Sequence, residues 1–485
     1  MNLLERIDYW ATAAPTRIAH VSGERTLTYG DLRAASDALG RYLSERFGED
    51  RSPIAVLGHR EPEMLIAFLG AVKSGRPYVP IDTALPQQRI DKIISISRPA
   101  LLLTAQETVK LCEWAGKAVM QPVRADDSFY IIFTSGSTGE PKGVVITLRC
   151  LEHFVGWMLA EQKFAEVNET FLNQAPFSFD LSVMDLYCSL ATGGTLFSIS
   201  RDLLANPKML YRALAASNLT IWVSTPSFAQ LCLAEETFRE AMLPHLRRFL
   251  FCGEILPSRT AAHLLERFPR TEVWNTYGPT EATVATTSIR IDHTVLQNYP
   301  AVPVGRPMPG TEVLIVDQAG ENLPPNEPGQ IVIAGPNVSP GYLARPDLTA
   351  KAFSEYGGQR AYRTGDLGRF RDELLFFEGR MDQQIKLNGY RVEIGDIEVN
   401  LRALPSVRDA IALPVMKDGA AQSVAAFVIL SSPPTRSEFE TAHNLRTELG
   451  QRLPAYMLPR KFVFIQEFPL TPNGKADRAK LAAQL

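Results

Sequence analysis

From Thr134 to Gly139 the chain carries only Thr, Ser and Gly, and Lys142 follows shortly after, in the stretch IIFTSGSTGEPKG (131–143). Glycines let successive backbone N–H groups face an anion, hydroxyls add donors and a lysine adds charge, so the chemistry on offer is a polyphosphate cradle. The spacing is not that of a Walker A loop, which ends its Gly-x-x-x-x-Gly run in Lys-Ser/Thr. A Ser/Gly-rich turn taken alone is more often a plain surface turn, so the reading depends on companions.

Four other stretches offer them. NTYGPTEA (Asn275–Ala282) brings an aromatic ring, a turn and a carboxylate together: Tyr277 could stack on a base, and Glu281 could bind a magnesium ion on phosphates. YRTGDLG puts Asp366 in a tight turn, where a carboxylate can accept both hydroxyls of a ribose. GRMDQQIKLNGYRVEIGDIE mixes charge and glycine and reads as a hinge. LTPNGKADRAKL sets Lys475 beside a Pro-Asn-Gly turn. Each has an ordinary alternative: a solvated Glu, an Asp serving a turn, an exposed terminal lysine.

The elements that must position these residues are readable from periodicity. Phe129–Phe133 is a strand leading into the glycine-rich loop. TYGDLRAASDALGRYLSERF carries Leu32, Ala35, Leu39 and Leu43 at helical spacing, PIAVLGH is a buried strand, and EPEMLIAFLGAVKSG is a helix ending at Gly75. TIWVSTP and RRFLFCGE continue the alternation, which predicts a parallel sheet with helices on both faces. After about Pro300 the texture changes to short strands (GTEVLIVD, GQIVIAG, ELLFFEGR) and a compact β subdomain. From Asp382 onward, VEIGDIEVNLRAL, VRDAIALPV and SVAAFVIL predict a small α+β domain, with LSSPPTRSEFE as a surface loop. The expected boundaries are therefore 1–381 and 382–485.

Composition excludes several classes. Fifty basic against 53 acidic residues, with no basic stripe, argue against nucleic acid as a partner. No run is apolar and long enough for a membrane span, and Glu5 and Asp8 interrupt the N-terminus too early for a signal peptide. The five cysteines are scattered without a CxxC, which suits reduced thiols and a cytoplasmic protein.

Taken in order, SGRPYVPID, FTSGSTGEPKG, FSFDLSVMDLY, NTYGPTEATV, YRTGDLG, GRMDQQIKLNGYRVEIGDIE and LTPNGKADRAKL resemble the motifs of the adenylate-forming superfamily, over nearly the whole chain. The likeness is to its amino-acid adenylation branch, and within that to enzymes loading D-alanine on a carrier protein. The resemblance implies an α/β fold: a large N-terminal domain of two stacked α/β subdomains plus a β-barrel, and a small mobile α+β C-terminal domain. It implies ATP and Mg2+ as cofactors, a small amino acid as substrate, and a phosphopantetheinyl carrier protein acting in trans, since no fused carrier follows Lys475.

Residue roles are carried over motif by motif. Thr134, Ser135, Gly136, Ser137, Thr138, Gly139 and Lys142 match the triphosphate loop. Asn275, Thr276, Tyr277, Gly278, Pro279 and Thr280 match the adenine and α-phosphate border, and Glu281 the magnesium ligand. Asp366 and Arg380 match ribose-binding positions. Asp382 matches the hinge pivot, and Gly389 and Tyr390 lie in the motif that forms the pantetheine channel. Lys475 matches the catalytic lysine that bridges substrate carboxylate and nucleotide. Many relatives carry a His after the phosphate loop; VVITLRC has none, and no proton transfer is assigned there.

Asp180 in FSFDLS matches the carboxylate that pairs with a substrate α-ammonium; its ordinary alternative is a helix N-cap. The other matched pocket walls are Leu181, Met184, Leu250, Cys252, Thr276, Val284 and Ala285. None is charged, and Met184 and Leu250 are bulky, so a small apolar side chain is expected. D-alanine is favoured by resemblance; L-alanine, glycine and serine remain alternatives, as do an acyl-CoA synthetase and a nucleotide-binding protein without turnover.

Overall fold

The strand Ile54–Gly58 and the helix Pro62–Lys73 behind it form the repeating unit of the fold. The helix starts on a proline, whose missing N–H costs nothing at a first-turn position, and it is buried on every side. Upstream, the helix Tyr29–Phe47 is capped by the Thr28 hydroxyl, which accepts from Asp31 N, and buries Leu32, Leu39 and Leu43. The computed structural model describes residues 1–136, 139–165, 169–382, 384–387, 389–417, 420–433, 437–469 and 476–485.

Two compact units result. The first comprises Met1–Thr83, Ile96–Ile132 and Gly143–Met381; the second comprises Ala84–Ser95, Phe133–Lys142 and Asp382–Leu485. The first holds a nine-stranded sheet in the order Arg306–Pro307, Thr287–Ile291, Glu272–Tyr277, Arg248–Phe251, Ile221–Ser224, Thr170–Asn173, Thr195–Ser198, Ile18–Ser22, Arg25–Thr28. The central strands, from Glu272–Tyr277 to Ile18–Ser22, run parallel. A six-stranded sheet has the order Gly341–Tyr342, Lys142–Thr147, Ser128–Thr134, Tyr78–Asp82, Ile54–Gly58, Leu101–Leu103. These are the two α/β subdomains. The third sheet is antiparallel: Glu312–Val316, Gly329–Ala334, Gln359–Arg371 and Phe353–Tyr356 in order, with Leu374–Arg380 also pairing with Gln359–Arg371. It is the compact β subdomain expected after Pro300, and its strand order is that of an open sheet.

Aromatic packing closes the core behind the nine-stranded sheet: Trp222 stacks on Phe228 at 5.5 Å, and Phe249 meets Phe268 edge-on at 5.1 Å. Rings in these geometries add about 0.5–1.5 kcal/mol beyond their burial.

The second unit is α+β. A hairpin, Gln384–Leu387 with Tyr390–Glu393, leads into the helix Ile394–Arg402. The strands Val407–Lys417 and Ala420–Leu430 pair antiparallel, and Lys461–Phe464 adds in parallel. Ile394, Ile397 and Leu401 join Val424, Ala426 and Val428 in its core.

Two local expectations are corrected. Asp366 lies inside the strand Gln359–Arg371, not in a tight turn; Gly365 at φ +72 and a register shift at Leu367–Gly368 bend that strand without ending it. The polar stretch read as a surface loop turns helical at Glu438, because Ser437 and Glu440 form a reciprocal capping box that overrides composition.

Candidate active site

Leu250, Cys252, Asn275, Thr276 and Tyr277 lie at the carboxyl ends of adjacent parallel strands, the usual ligand crevice of open α/β sheets, while Asp366 and Arg380 come from the antiparallel sheet. Arg248–Phe251 delivers Leu250 and Cys252, and Glu272–Tyr277 delivers Asn275, Thr276 and Tyr277 in register beside it. The Thr276 hydroxyl donates to Phe251 O at 2.8 Å, and Asn275 Nδ2 donates to Pro303 O at 2.9 Å. Gly278 is required as glycine: a Cβ there would sit 2.6 Å from Ala285 Cα.

Tyr277 and Asp366 meet directly. The Tyr277 hydroxyl donates to Asp366 Oδ2 at 2.6 Å, Arg380 pairs with Oδ1, and Asp366 N donates to the Thr364 hydroxyl at 3.0 Å. Burial, then the charge of Asp366, pushes the Tyr277 hydroxyl well above the usual phenol range, so it stays a donor. An ionised carboxylate has about four acceptor positions. Two are used here, which leaves room for a pair of hydroxyls.

Glu281 is fully buried and accepts from the Tyr342 hydroxyl at 2.7 Å. Among the described residues no group of three or more His, Cys, Asp or Glu side chains could hold a metal. One carboxylate suits magnesium, which keeps waters and binds phosphate oxygens besides one or two carboxylates, better than zinc.

Beyond Glu281 the chain turns sharply. Thr283 and Val284 both have positive φ, +58 and +69, a conformation disfavoured for β-branched residues. Asn337, buried, holds the turn: Nδ2 donates to Ala282 O at 2.9 Å, and its main-chain carbonyl accepts from the Thr283 hydroxyl at 2.7 Å. The turn brings Val284 O to 3.5 Å from Cys252 Sγ.

Asp180 is the residue before the helix Leu181–Thr192, but its side chain makes no capping hydrogen bond. Its charge, after burial and Tyr78, helps hold the buried Tyr130 hydroxyl protonated. Leu181, Met184, Leu250, Cys252, Thr276, Val284 and Ala285 are all buried.

In the second unit, Gly139 has φ +80, and a Cβ at Gly136 would lie 2.1 Å from Glu140 O, so the loop needs both glycines. The Thr134 hydroxyl is buried and has no hydrogen-bond partner among the described residues. Ser135 Oγ donates to Arg391 O at 2.7 Å and accepts from Glu393 N at 3.2 Å; Lys142 lies 3.7 Å from Glu393. Gln384 N donates to the Asp382 carboxylate at 3.0 Å. Gly389 turns the hairpin at φ +83, and Tyr390 stacks on Tyr456 at 3.7 Å. Ser137, Thr138 and Lys475 lie outside the described residues.

Sequence reasoning missed Tyr342, Asn337 and Thr364. Tyr342 and Asn337 act on a motif more than fifty residues away, and a Tyr in GYLAR or an Asn in GPNVS carries no local signal; Thr364 sits inside YRTGDLG, two residues before the Asp366 whose N–H it accepts.

With this geometry in view, the comparisons are consistent. Residues 7–343 match the AMP-binding enzyme family, and residues 396–475 match the AMP-binding enzyme C-terminal domain. The chain belongs to the AMP-binding enzyme family. It is similar to D-alanine–D-alanyl carrier protein ligase of Bacillus anthracis, 46% identical over 502 residues with 100% of both chains covered. It is similar to the enzyme of the same name from Bacillus cereus, 45% identical over 504 residues with 100% of both covered. Among solved structures, holo-PA1221, a nonribosomal peptide synthetase (NRPS) protein containing adenylation and PCP domains, matches with TM-score 0.85 and 27% identity, over 100% of this chain and 84% of that one. The Vibrio cholerae adenylation domain AlmE, in complex with glycyl-adenosine-5'-phosphate, has the same fold, with TM-score 0.85 and 22% identity over 99% of this chain and 97% of that one.

Proposed function

We propose that this protein activates D-alanine with ATP, forming D-alanyl-AMP and pyrophosphate, and passes the aminoacyl group to the phosphopantetheine thiol of a carrier protein. The observation that carries the reading is the knitting of two kinds of residue at neighbouring strand ends. A buried, uncharged cluster (Leu250, Cys252, Val284, Ala285), matched to the family's pocket walls, is tied by the bonds Thr276–Phe251 and Cys252–Val284 to the segment holding Tyr277 and Glu281. The full-length likeness to D-alanine–D-alanyl carrier protein ligases supports the choice of amino acid and acceptor.

In the first step a carboxylate oxygen of the amino acid bonds to the α-phosphorus of ATP, and the bond to the β-phosphate oxygen breaks. An amino-acid carboxyl with pKa of roughly 4 or below is already ionised at neutral pH, so no general base is needed. The task is positioning and charge neutralisation. Asp180 takes the ammonium, Asp366 the ribose hydroxyls, and the loop around Thr134 the triphosphate. Glu281 would hold a magnesium ion, which would supply charge neutralisation at the phosphates. Lys475 bridges the carboxylate and the nucleotide. In the second step the carrier thiolate attacks the carbonyl carbon and AMP leaves, after the domain from Asp382 onward turns to withdraw Lys475 and bring in Gly389 and Tyr390. The scattered thiols fit a cytoplasmic setting.

ATP–pyrophosphate exchange across the D- and L-amino acids tests this. D-alanine should support the fastest exchange. Exchange with no small amino acid, or with fatty acids instead, would overturn it.

A further inference from the structure

We propose that Arg60 is a positioning residue for amino-acid binding: it clamps the main chain that leads into Asp180. The inference rests on the reading of Asp180 as the ammonium partner.

Arg60 follows the strand Ile54–Gly58, is buried, and aims its guanidinium at the ends of two strands of the other α/β sheet. It donates to Gln174 O and to Ile199 O, and more distantly from Nε to Ala175 O at 3.5 Å. Gln174 and Ala175 open the loop that ends at Asp180. Asn173 ties the far end of that loop to the near one: Nδ2 donates to Ala175 O at 3.0 Å and to Asp185 Oδ2 at 2.9 Å, on the helix after Asp180. The loop is therefore held at its entry by Arg60 and across its mouth by Asn173.

Arg60 is itself oriented. Nη1 donates to His59 Nε2 at 2.9 Å, which requires that ring nitrogen to be unprotonated and leaves Nδ1–H to face Asp82 Oδ2 at 2.7 Å. Arg201 pairs with the other oxygen of Asp82. A planar guanidinium serves several carbonyls at once, and a buried one left partly unsatisfied is costly, so few arrangements of Gln174 and Ala175 are compatible with it. Small misplacements of a substrate-binding group cost large factors. Nothing in these contacts reaches the nucleotide residues, so the effect should fall on the amino acid.

Arg60→Met tests the clamp, with His59→Phe as the milder variant that keeps Arg60 but removes the acceptor orienting it, together with the Nδ1 contact to Asp82. In pyrophosphate exchange, Arg60→Met should raise the KM for D-alanine about tenfold, leave the KM for ATP within twofold, and be partly rescued in Arg60→Lys; His59→Phe should raise the D-alanine KM about threefold. Amide exchange of segment 174–180 should quicken in both variants without ligand. Unchanged exchange of that segment, or equal rises in both KM values, overturns the clamp. Asp180→Asn separates the underlying reading: if it leaves the D-alanine KM unchanged, that reading has failed, and amide exchange alone then judges whether Arg60 holds the loop.

Discussion

The Tyr277 hydroxyl donates a 2.6 Å hydrogen bond to Asp366 Oδ2, although 89 residues separate the two. With Arg380 on the other oxygen, the pair joins the nine-stranded sheet to the antiparallel one and fixes a buried carboxylate before any nucleotide arrives. Tyr277→Phe should raise the KM for ATP about tenfold, since a hydrogen bond to a charged group is worth about 1.5–3 kcal/mol. The KM for D-alanine should hardly move. Steady-state exchange kinetics with each substrate varied in turn checks both.

Asp180→Ala should cost about 3–5 kcal/mol in amino-acid activation, a factor of roughly 10²–10⁴, because the substrate ammonium would be buried unpaired. Binding of ATP should persist, which calorimetry measures. Lys475→Ala should lower adenylation by roughly 10²–10³, yet spare transfer from synthetic D-alanyl-AMP to a carrier. Equal loss of both steps would remove Lys475 from its role.

Met184 has no exposed surface. Met184→Ala should destabilise the fold by about 2–5 kcal/mol, read from urea unfolding. It should also shift preference toward longer side chains: each added methylene is worth about 1–3 kcal/mol in such a pocket. The measurement is kcat/KM for D-2-aminobutyrate and D-valine relative to D-alanine.

Tyr342 orients the Glu281 carboxylate. Loss of an outer partner of a metal ligand typically costs 10–100-fold in metal affinity. Tyr342→Phe should therefore raise the magnesium concentration for half-maximal exchange about tenfold, and excess magnesium should restore most of the rate.

His20 is buried, and its pKa is lowered to about 3, first by burial and then by the charge of Arg25. Ser198 gives its proton to Asn173 Oδ1, so His20 Nε2–H donates to Ser198 Oγ at 2.8 Å. The folded state thus favours neutral His20. Its contribution is complete above pH about 6.5 and is lost as pH falls from there toward 3, because the unfolded chain takes up a proton that the folded chain refuses. Between pH 6.5 and 5 this amounts to about 2 kcal/mol. Urea unfolding at the two pH values should show a smaller loss in His20→Gln.

Much of the scaffold was legible along the chain. Ile54–Gly58, Pro62–Lys73 and Arg248–Phe251 lie where apolar runs and punctuation put them, since elements buried on nearly all sides read as continuous apolar stretches bounded by Gly, Pro and charged residues. The site motifs were legible for the same local reason: glycines at 136 and 139 are forced by sterics within a few residues. Tyr342 and Asn337 were not, because a single side chain bonding to a distant segment has no period and no neighbour in sequence. Asp366 misled in the other direction: Gly-Asp reads as a turn, but pairing with Leu374–Arg380 keeps the strand extended.

Since Asn337 holds two β-branched residues, Thr283 and Val284, left-handed, the wall this turn would give the proposed pocket is made by main-chain direction more than by side-chain identity. Drift at position 284 can trim or thicken that wall, but only a change at Asn337 can swing it aside. Evolving this scaffold toward bulkier substrates would thus demand a coordinated pair of mutations, one inside the cleft and one well outside it.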